Sequence, residues 1–342
     1  MADKVRLGFI GCGNIIRGHL EQGLKDFEDV EFVGWCDLRE EAAAERRAQV
    51  GGQGEIFTEA AEMLDKAKPD AVFIALPTFA HGPVEKEVVK RRIPFFIEKP
   101  IAIDMATAAR TLEAVKKRDI LTCVGYMSRY REPVQQAKRL IEGRSPVFLL
   151  GGWAGQGPKP DTPIFQWWVR KEMSGGQFTE QATHTVDLAR YFFGDAESVY
   201  AVPVRDRVPR PDFFTIEDAV VADVRFLNGA AGCLYGACCI GVGGGVTMDI
   251  HFIDMKISFT SGRQDGLIQI KGQQPIQLRG DAKALHLEDR AFINSVKAGS
   301  NQGILSTYED GVKTLAISLA ADKSMKTGKV VKLKDGGLKL GA

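Results

Sequence analysis

Six short apolar runs, at residues 5–10, 31–36, 55–57, 70–76, 93–97 and 121–126, are separated by stretches of helical spacing. This alternation leaves a chain few folds, because each helical crossover returns the next strand parallel to the last. The run at 93–97 is rich in β-branched and aromatic residues, as expected of a strand buried on both faces. The expected product is an α/β unit with a parallel, doubly wound sheet.

After residue 126 the pattern changes. A basic helix at 130–142 leads to a strand at 147–153, a Gly/Pro loop at 156–163 and the adjacent Trp167 and Trp168. A helix is expected over 179–193. Short runs then alternate with turns at 199–204, 218–226, 232–239, 246–252, 256–259 and 267–270, the pattern of an antiparallel meander. Two helices follow, at 284–298 and 307–327, and residues 329–333 read as a strand that returns; the sequence shows no internal repeat or low-complexity tract. With 342 residues to divide, two domains are expected, 1–126 and 127–342.

Chemistry gathers where strands end. In open α/β sheets ligands lie beyond the carboxyl ends of the strands. Gly11-Cys12-Gly13-Asn14 follows the first strand and opens a helix with Ile15, the setting in which a G-x-G turn lets a pyrophosphate approach backbone N–H groups. The third fingerprint position holds Ile16 instead of glycine. Asp37 closes the second strand, about two dozen residues on. A carboxylate there accepts from an adenosine ribose and disfavours a 2′-phosphate, so NAD is preferred, while the nearby Arg39 leaves NADP open. Asp37 as a turn or helix-cap residue is the alternative. Leu76, Pro77 and Thr78 end the fourth strand, where a nicotinamide ribose would rest, and His81 follows.

The fifth strand stops at Glu98-Lys99-Pro100. A lysine leaving a sheet at this edge is suited to proton transfer; a solvated ion pair with Glu98 is the competing reading. In the second half, Glu180, His184 and Asp187 would share one face of a continuous helix. A carboxylate beside an imidazole suits acid–base work, and a polar face held by i,i+4 pairs is the alternative. Gly175 and Gly176 just before it would permit close backbone approach, and Trp167 with Trp168 would offer a sugar platform.

A net charge of +1 gives no reason to expect a nucleic-acid or anionic-membrane partner. No apolar run is long enough to span a bilayer. Six cysteines without a C-x-x-C pair fit reduced thiols in a cytoplasm, and five histidines without ligand spacing give no metal site.

Taken together, G-x-G-N, the strand ending in Asp37, the stretch from Ala75 to His81, Glu98-Lys99-Pro100 and Gly-Gly-x-x-x-acid-x-x-x-His-x-x-Asp resemble the glucose-fructose oxidoreductase / inositol dehydrogenase (Gfo/Idh/MocA) family. The resemblance covers residues 4 to 330. It implies an N-terminal Rossmann domain and a C-terminal α+β domain with a large, open, mainly antiparallel sheet, packed into homodimers or homotetramers. It implies an NAD(P)-dependent oxidoreductase acting on a hydroxyl of a sugar, sugar derivative or cyclitol. Glycoside cleavage or epimerisation through transient oxidation is one alternative, and a non-catalytic NAD(H)-binding protein another. Lys99 matches the family's essential lysine and His184 its catalytic histidine. Glu180 stands where aspartate is usual. Substrate contacts are expected from Lys99, Tyr126, Trp167, Arg170, Glu180, Thr183 and His184. Cofactor contacts are expected from Gly11, Gly13, Asn14, Ile15, Asp37, Arg39, Leu76, Pro77, Thr78, His81, Glu98 and Lys99. The Lys99–Pro100 bond is expected to be cis.

Overall fold

The structure, a computed structural model, describes residues 4–260, 265–280 and 283–341. The chain divides into two compact units. The first takes residues up to 102, then 106–127 and 283–310; the second takes 103–105, 128–282 and the chain from 311 onward.

Six parallel strands form the sheet of the first unit: β1 (Val5–Ile10), β2 (Val30–Cys36), β3 (Glu55–Phe57), β4 (Ala71–Ile74), β5 (Phe95–Ile97) and β6 (Thr122–Val124). Their order is β3-β2-β1-β4-β5-β6, the doubly wound arrangement in which β1 and β4 flank the switch point. Helices α1 (Asn14–Glu21), α2 (Glu40–Ala48), α3 (Ala60–Lys66), α4 (Pro83–Lys90) and α5 (Met105–Arg118) make the crossovers. The first helix ends at Glu21. Gly23, at φ 128°, turns the chain out of it, and a short 3-10 turn follows.

The contiguous second domain expected over 127–342 is interrupted. Residues 283–310 pack within the first unit because their helix carries apolar side chains for its core. Phe292 meets Phe73 edge-on at 5.4 Å and Phe96 at 5.9 Å, and Ile293 is fully buried beside it. Each such side chain contributes about 1.5–3 kcal/mol of burial.

The second unit is built on a ten-stranded sheet. Its strands are β7 (Phe148–Ala154), β8 (Ala196–Val204), β9 (Ala219–Phe226), β10 (Ala231–Ala237), β11 (Gly245–His251), β12 (Met255–Thr260), β13 (Asp265–Ile270), β14 (Ile276–Arg279), β15 (Val331–Lys334) and β16 (Lys339–Leu340). The order β14-β13-β12-β11-β7-β10-β9-β8-β15-β16 is not a simple meander. β7 inserts between β10 and β11 and runs parallel to β10. β15 pairs with β8, Val331 opposite Val199, so the end of the chain extends this sheet and not the sheet of the first unit.

Helices α6 (Glu132–Leu140), α7 (Phe165–Trp168), α8 (Lys171–Ser174), α9 (Gln177–Glu180) and α10 (Thr183–Phe193) precede most of these strands; α11 (Ala284–Ala298) is the helix of the first unit described above, and α12 (Tyr308–Thr327) follows it. One face of the sheet is buried against helical residues such as Val134, Val186 and Phe192. The other face stays open and carries Phe148, Leu150, Tyr200, Val202 and Val221, each more than a third exposed.

Candidate functional site

At the carboxyl edge of the first sheet the glycine turn has the shape a phosphate site needs. Gly11, at φ 85°, lies so close to Ala75 O that a Cβ would stand 2.2 Å from it. Gly13 has nothing within 4 Å of where a Cβ would be, so open space lies against the start of α1. No side chain caps that helix, whose first N–H groups therefore remain available at its positive end, and Asn14 and Ile15 there are exposed. Asp37 Oδ2 accepts from the Cys12 amide at 2.8 Å and Oδ1 from the Arg39 amide at 2.9 Å. The Arg39 guanidinium is itself 68% exposed and 3.9 Å from Asp37.

Leu76 and Pro77 are partly exposed where β4 ends, and Thr78 is buried beneath them. Among the described residues Thr78 Oγ1 and His81 Nε2 are buried without a hydrogen-bond partner. The other ring nitrogen of His81 meets Glu85 Oε1 at 2.6 Å, and Glu85 also accepts from the Gly82 amide, so the imidazole is fixed to α4. An open glycine turn, bare helix N–H groups, an anchored carboxylate and orphaned polar atoms together fit a dinucleotide.

Glu98 is no solvated partner for Lys99. It is buried, with Oε1 3.1 Å from His19 Nε2 and Oε2 accepting from the Lys99 amide at 3.2 Å. Lys99 is half-buried, and the Lys99–Pro100 bond is cis as expected. His19 Nδ1 lies 2.7 Å from Asp289 Oδ1. Burial opposes a charge on His19, but Asp289 and then Glu98 outweigh it and hold its pKa well above 6.5.

In the second unit Glu180, His184 and Asp187 do not share a continuous helix. Glu180 ends α9, and His184 lies in the first turn of α10 after a break at Gln181–Ala182. Asp187 is directed into the core. Its carboxylate takes both Nε and Nη2 of Arg129, at 2.8 and 2.7 Å, and Oδ1 also accepts from Thr314. It is therefore committed to a buried ion pair and is not the acid that orients the imidazole. Glu180 Oε2 accepts from Trp168 Nε1 at 2.7 Å.

Trp168 is only 1% exposed, so its ring is core and not half of a sugar platform; Trp167 is partly exposed. Beside Trp168 a cavity of about 300 Å³ is walled by Phe165, Val169, Phe214 and several prolines. Gly175 and Gly176 serve the protein's own packing. Both have positive φ, and a Cβ on Gly176 would stand 2.7 Å from Lys171 Nζ and 3.0 Å from Glu217 Oε2. Arg170 stacks 4.7 Å from the Phe213 ring, Tyr126 and Thr183 are buried at 1%, and His184 is half-buried. None of the six cysteines forms a disulfide. Burial pushes Cys36 and Cys238 up to about 12, which leaves them protonated and poor nucleophiles.

Two family models match the chain. An oxidoreductase family model with an NAD-binding Rossmann fold matches residues 5–126, and the GFO/IDH/MocA C-terminal domain matches residues 134–263. The chain belongs to the GFO/IDH/MocA oxidoreductase family.

Within that family, a myo-inositol 2-dehydrogenase of Thermotoga maritima is 25% identical across 97% of this chain and 99% of its own. A scyllo-inositol 2-dehydrogenase (NAD(+)) of Bacillus subtilis is 24% identical across 97% of each. Among solved structures, a levoglucosan dehydrogenase in complex with NADH and levoglucosan superposes with a TM-score of 0.87 at 21% identity, covering 97% of this chain and 100% of that one. The protein is thus an NAD-binding enzyme of the GFO/IDH/MocA oxidoreductases. The sequence reading missed His19, Asp289 and Arg129. His19 had a legible signal, since it sits at helical spacing between the buried Ile16 and Leu20 and so places a titratable group on an apolar face.

Proposed function

We propose that the protein is an NAD-dependent dehydrogenase that interconverts a hydroxyl and a ketone on a sugar, sugar derivative or cyclitol. The observation that carries this reading is Lys99, half-buried at the carboxyl end of β5 in an NAD-binding sheet, behind a glutamate whose carboxylate is locked in place. The inositol and levoglucosan dehydrogenases among its relatives support the substrate class.

Gly11, Gly13, Asn14 and Ile15 receive the pyrophosphate at the start of α1, and Asp37 accepts from the adenosine ribose. Leu76, Pro77, Thr78 and His81 line the nicotinamide end. When bound, the cofactor supplies a ring that takes the hydrogen leaving the carbinol carbon with its electron pair. His184 accepts the hydroxyl proton on its imidazole, and the Lys99 ammonium stabilises the charge that develops on that oxygen. Glu180, held by Trp168, is assigned as the acid that supports His184, and Thr183, Arg170 and Trp167 as substrate contacts.

The test is steady-state formation of NADH with a panel of inositols, polyols and glycosides. Lys99→Ala and His184→Ala should each lower kcat by about 10²–10⁴-fold. Losses of less than about tenfold in both would remove them from the chemistry.

A further inference from the structure

Three buried side chains in the first unit form a chain of charge that the reaction described above does not use. His19, Asp289 and Glu98 come from α1, α11 and the end of β5. His19 and Asp289 are fully buried, and Glu98 is 7% exposed. With the ring protonated, Nδ1 donates to Asp289 Oδ1 at 2.7 Å and Nε2 donates to Glu98 Oε1 at 3.1 Å. The ring is boxed in by Phe73 and Phe96, both edge-on within 5.5 Å. Glu98 is confined on its remaining side by Gly125, where a Cβ would stand 2.8 Å from Oε1. Its other oxygen accepts from the Lys99 amide.

We propose that His19 is a positioning residue for Lys99. By clamping Glu98 against α11 and Gly125, the imidazole fixes the carboxylate that holds the Lys99 amide, and so fixes where the lysine leaves the sheet. Burying these groups carries a desolvation cost that an apolar residue filling the same space would avoid, and fixed geometry is the gain we assign to the cluster. A displacement of about 1 Å at a catalytic group costs as much as ~10²-fold in rate. The consequence for turnover rests on the reading of Lys99 as a catalytic group; the consequence for its position does not.

Two measurements separate these. In the ligand-free protein, His19→Gln should speed hydrogen exchange of the Lys99 amide by about tenfold or more, with β2 and the strands of the second unit within about twofold of wild type. Asp289→Asn, which keeps the shape of the site, should do the same if the glutamine variant folds poorly. An unchanged Lys99 amide, or a uniform rise across the protein, overturns the proposal. In turnover, His19→Gln should lower kcat by about tenfold with NADH affinity within about threefold, and should add less than about twofold when Lys99 is already alanine. Losses that multiply in the double variant overturn action through Lys99. If Lys99→Ala alone leaves kcat unchanged, the catalytic reading of Lys99 falls, and the exchange result still decides the positioning.

Discussion

Asp37 has two tasks at once. Its carboxylate gathers the amides of Cys12 and Arg39, which shapes the glycine turn, and it presents negative charge where the adenosine ribose is proposed to lie. A hydrogen bond to a charged group contributes about 1.5–3 kcal/mol. Asp37→Ala should therefore weaken NADH binding by about tenfold or more, while NADPH, freed from repulsion of its 2′-phosphate, should lose less. Fluorescence titration of both nucleotides measures this, and an unchanged NADH-to-NADPH ratio would count against the ribose role. Asp37 and Lys99 could be placed because a strand end fixes where they stand, whereas the cis bond after Lys99 was expected from the family resemblance alone. Trp168 was not: a buried tryptophan and an exposed one look alike in sequence. Asp187 was misread because its partners, Arg129 and Thr314, lie 58 and 127 residues away.

At the scale of elements, α11 carries the largest difference between sequence and structure. Its boundaries were readable from periodicity, but its allegiance was not, since nothing in a helical pattern says which sheet it will cover. Asp29 helps to hold it. Arg290 Nη1 donates to that carboxylate at 2.8 Å and Lys297 Nζ at 2.9 Å. Burial alone would raise the Asp29 pKa, but the bonds from Lys297 and Arg290 prevail and lower it from 3.8 to about 2. A depressed carboxylate contributes stability above its unfolded pKa and loses it as pH falls through the folded one. Water reaches about a quarter of this side chain, so the contribution is screened to about 1 kcal/mol. Asp29→Asn should cost that much at neutral pH in urea unfolding, with the gap from wild type closing between about pH 4 and pH 2. A gap that persists at the acid end would contradict the ion-pair account. The break between α9 and α10 was also invisible, because no glycine or proline marks Gln181–Ala182. The parallel β7–β10 pair was hidden for a similar reason, since strand alternation reports faces and not neighbours.

For the molecule as a whole, the open face of the ten-stranded sheet bears on assembly. Phe148, Leu150, Tyr200, Val202 and Val221 stand on it at alternate positions, an apolar stripe of the kind that marks an interface. We propose that two copies pair through this face. Light scattering on a Leu150→Glu, Val221→Lys double variant should show monomers where the unaltered protein shows dimers or tetramers, and a monomeric wild type would end that proposal. No helix among the described residues is long and apolar enough to cross a membrane. The central claim is tested most directly by following NADH absorbance as the purified protein meets NAD and the panel of inositols, polyols and glycosides. Steady NADH accumulation with at least one of them, abolished in Lys99→Ala, is the predicted result; tight NADH binding with no turnover on any member would contradict it.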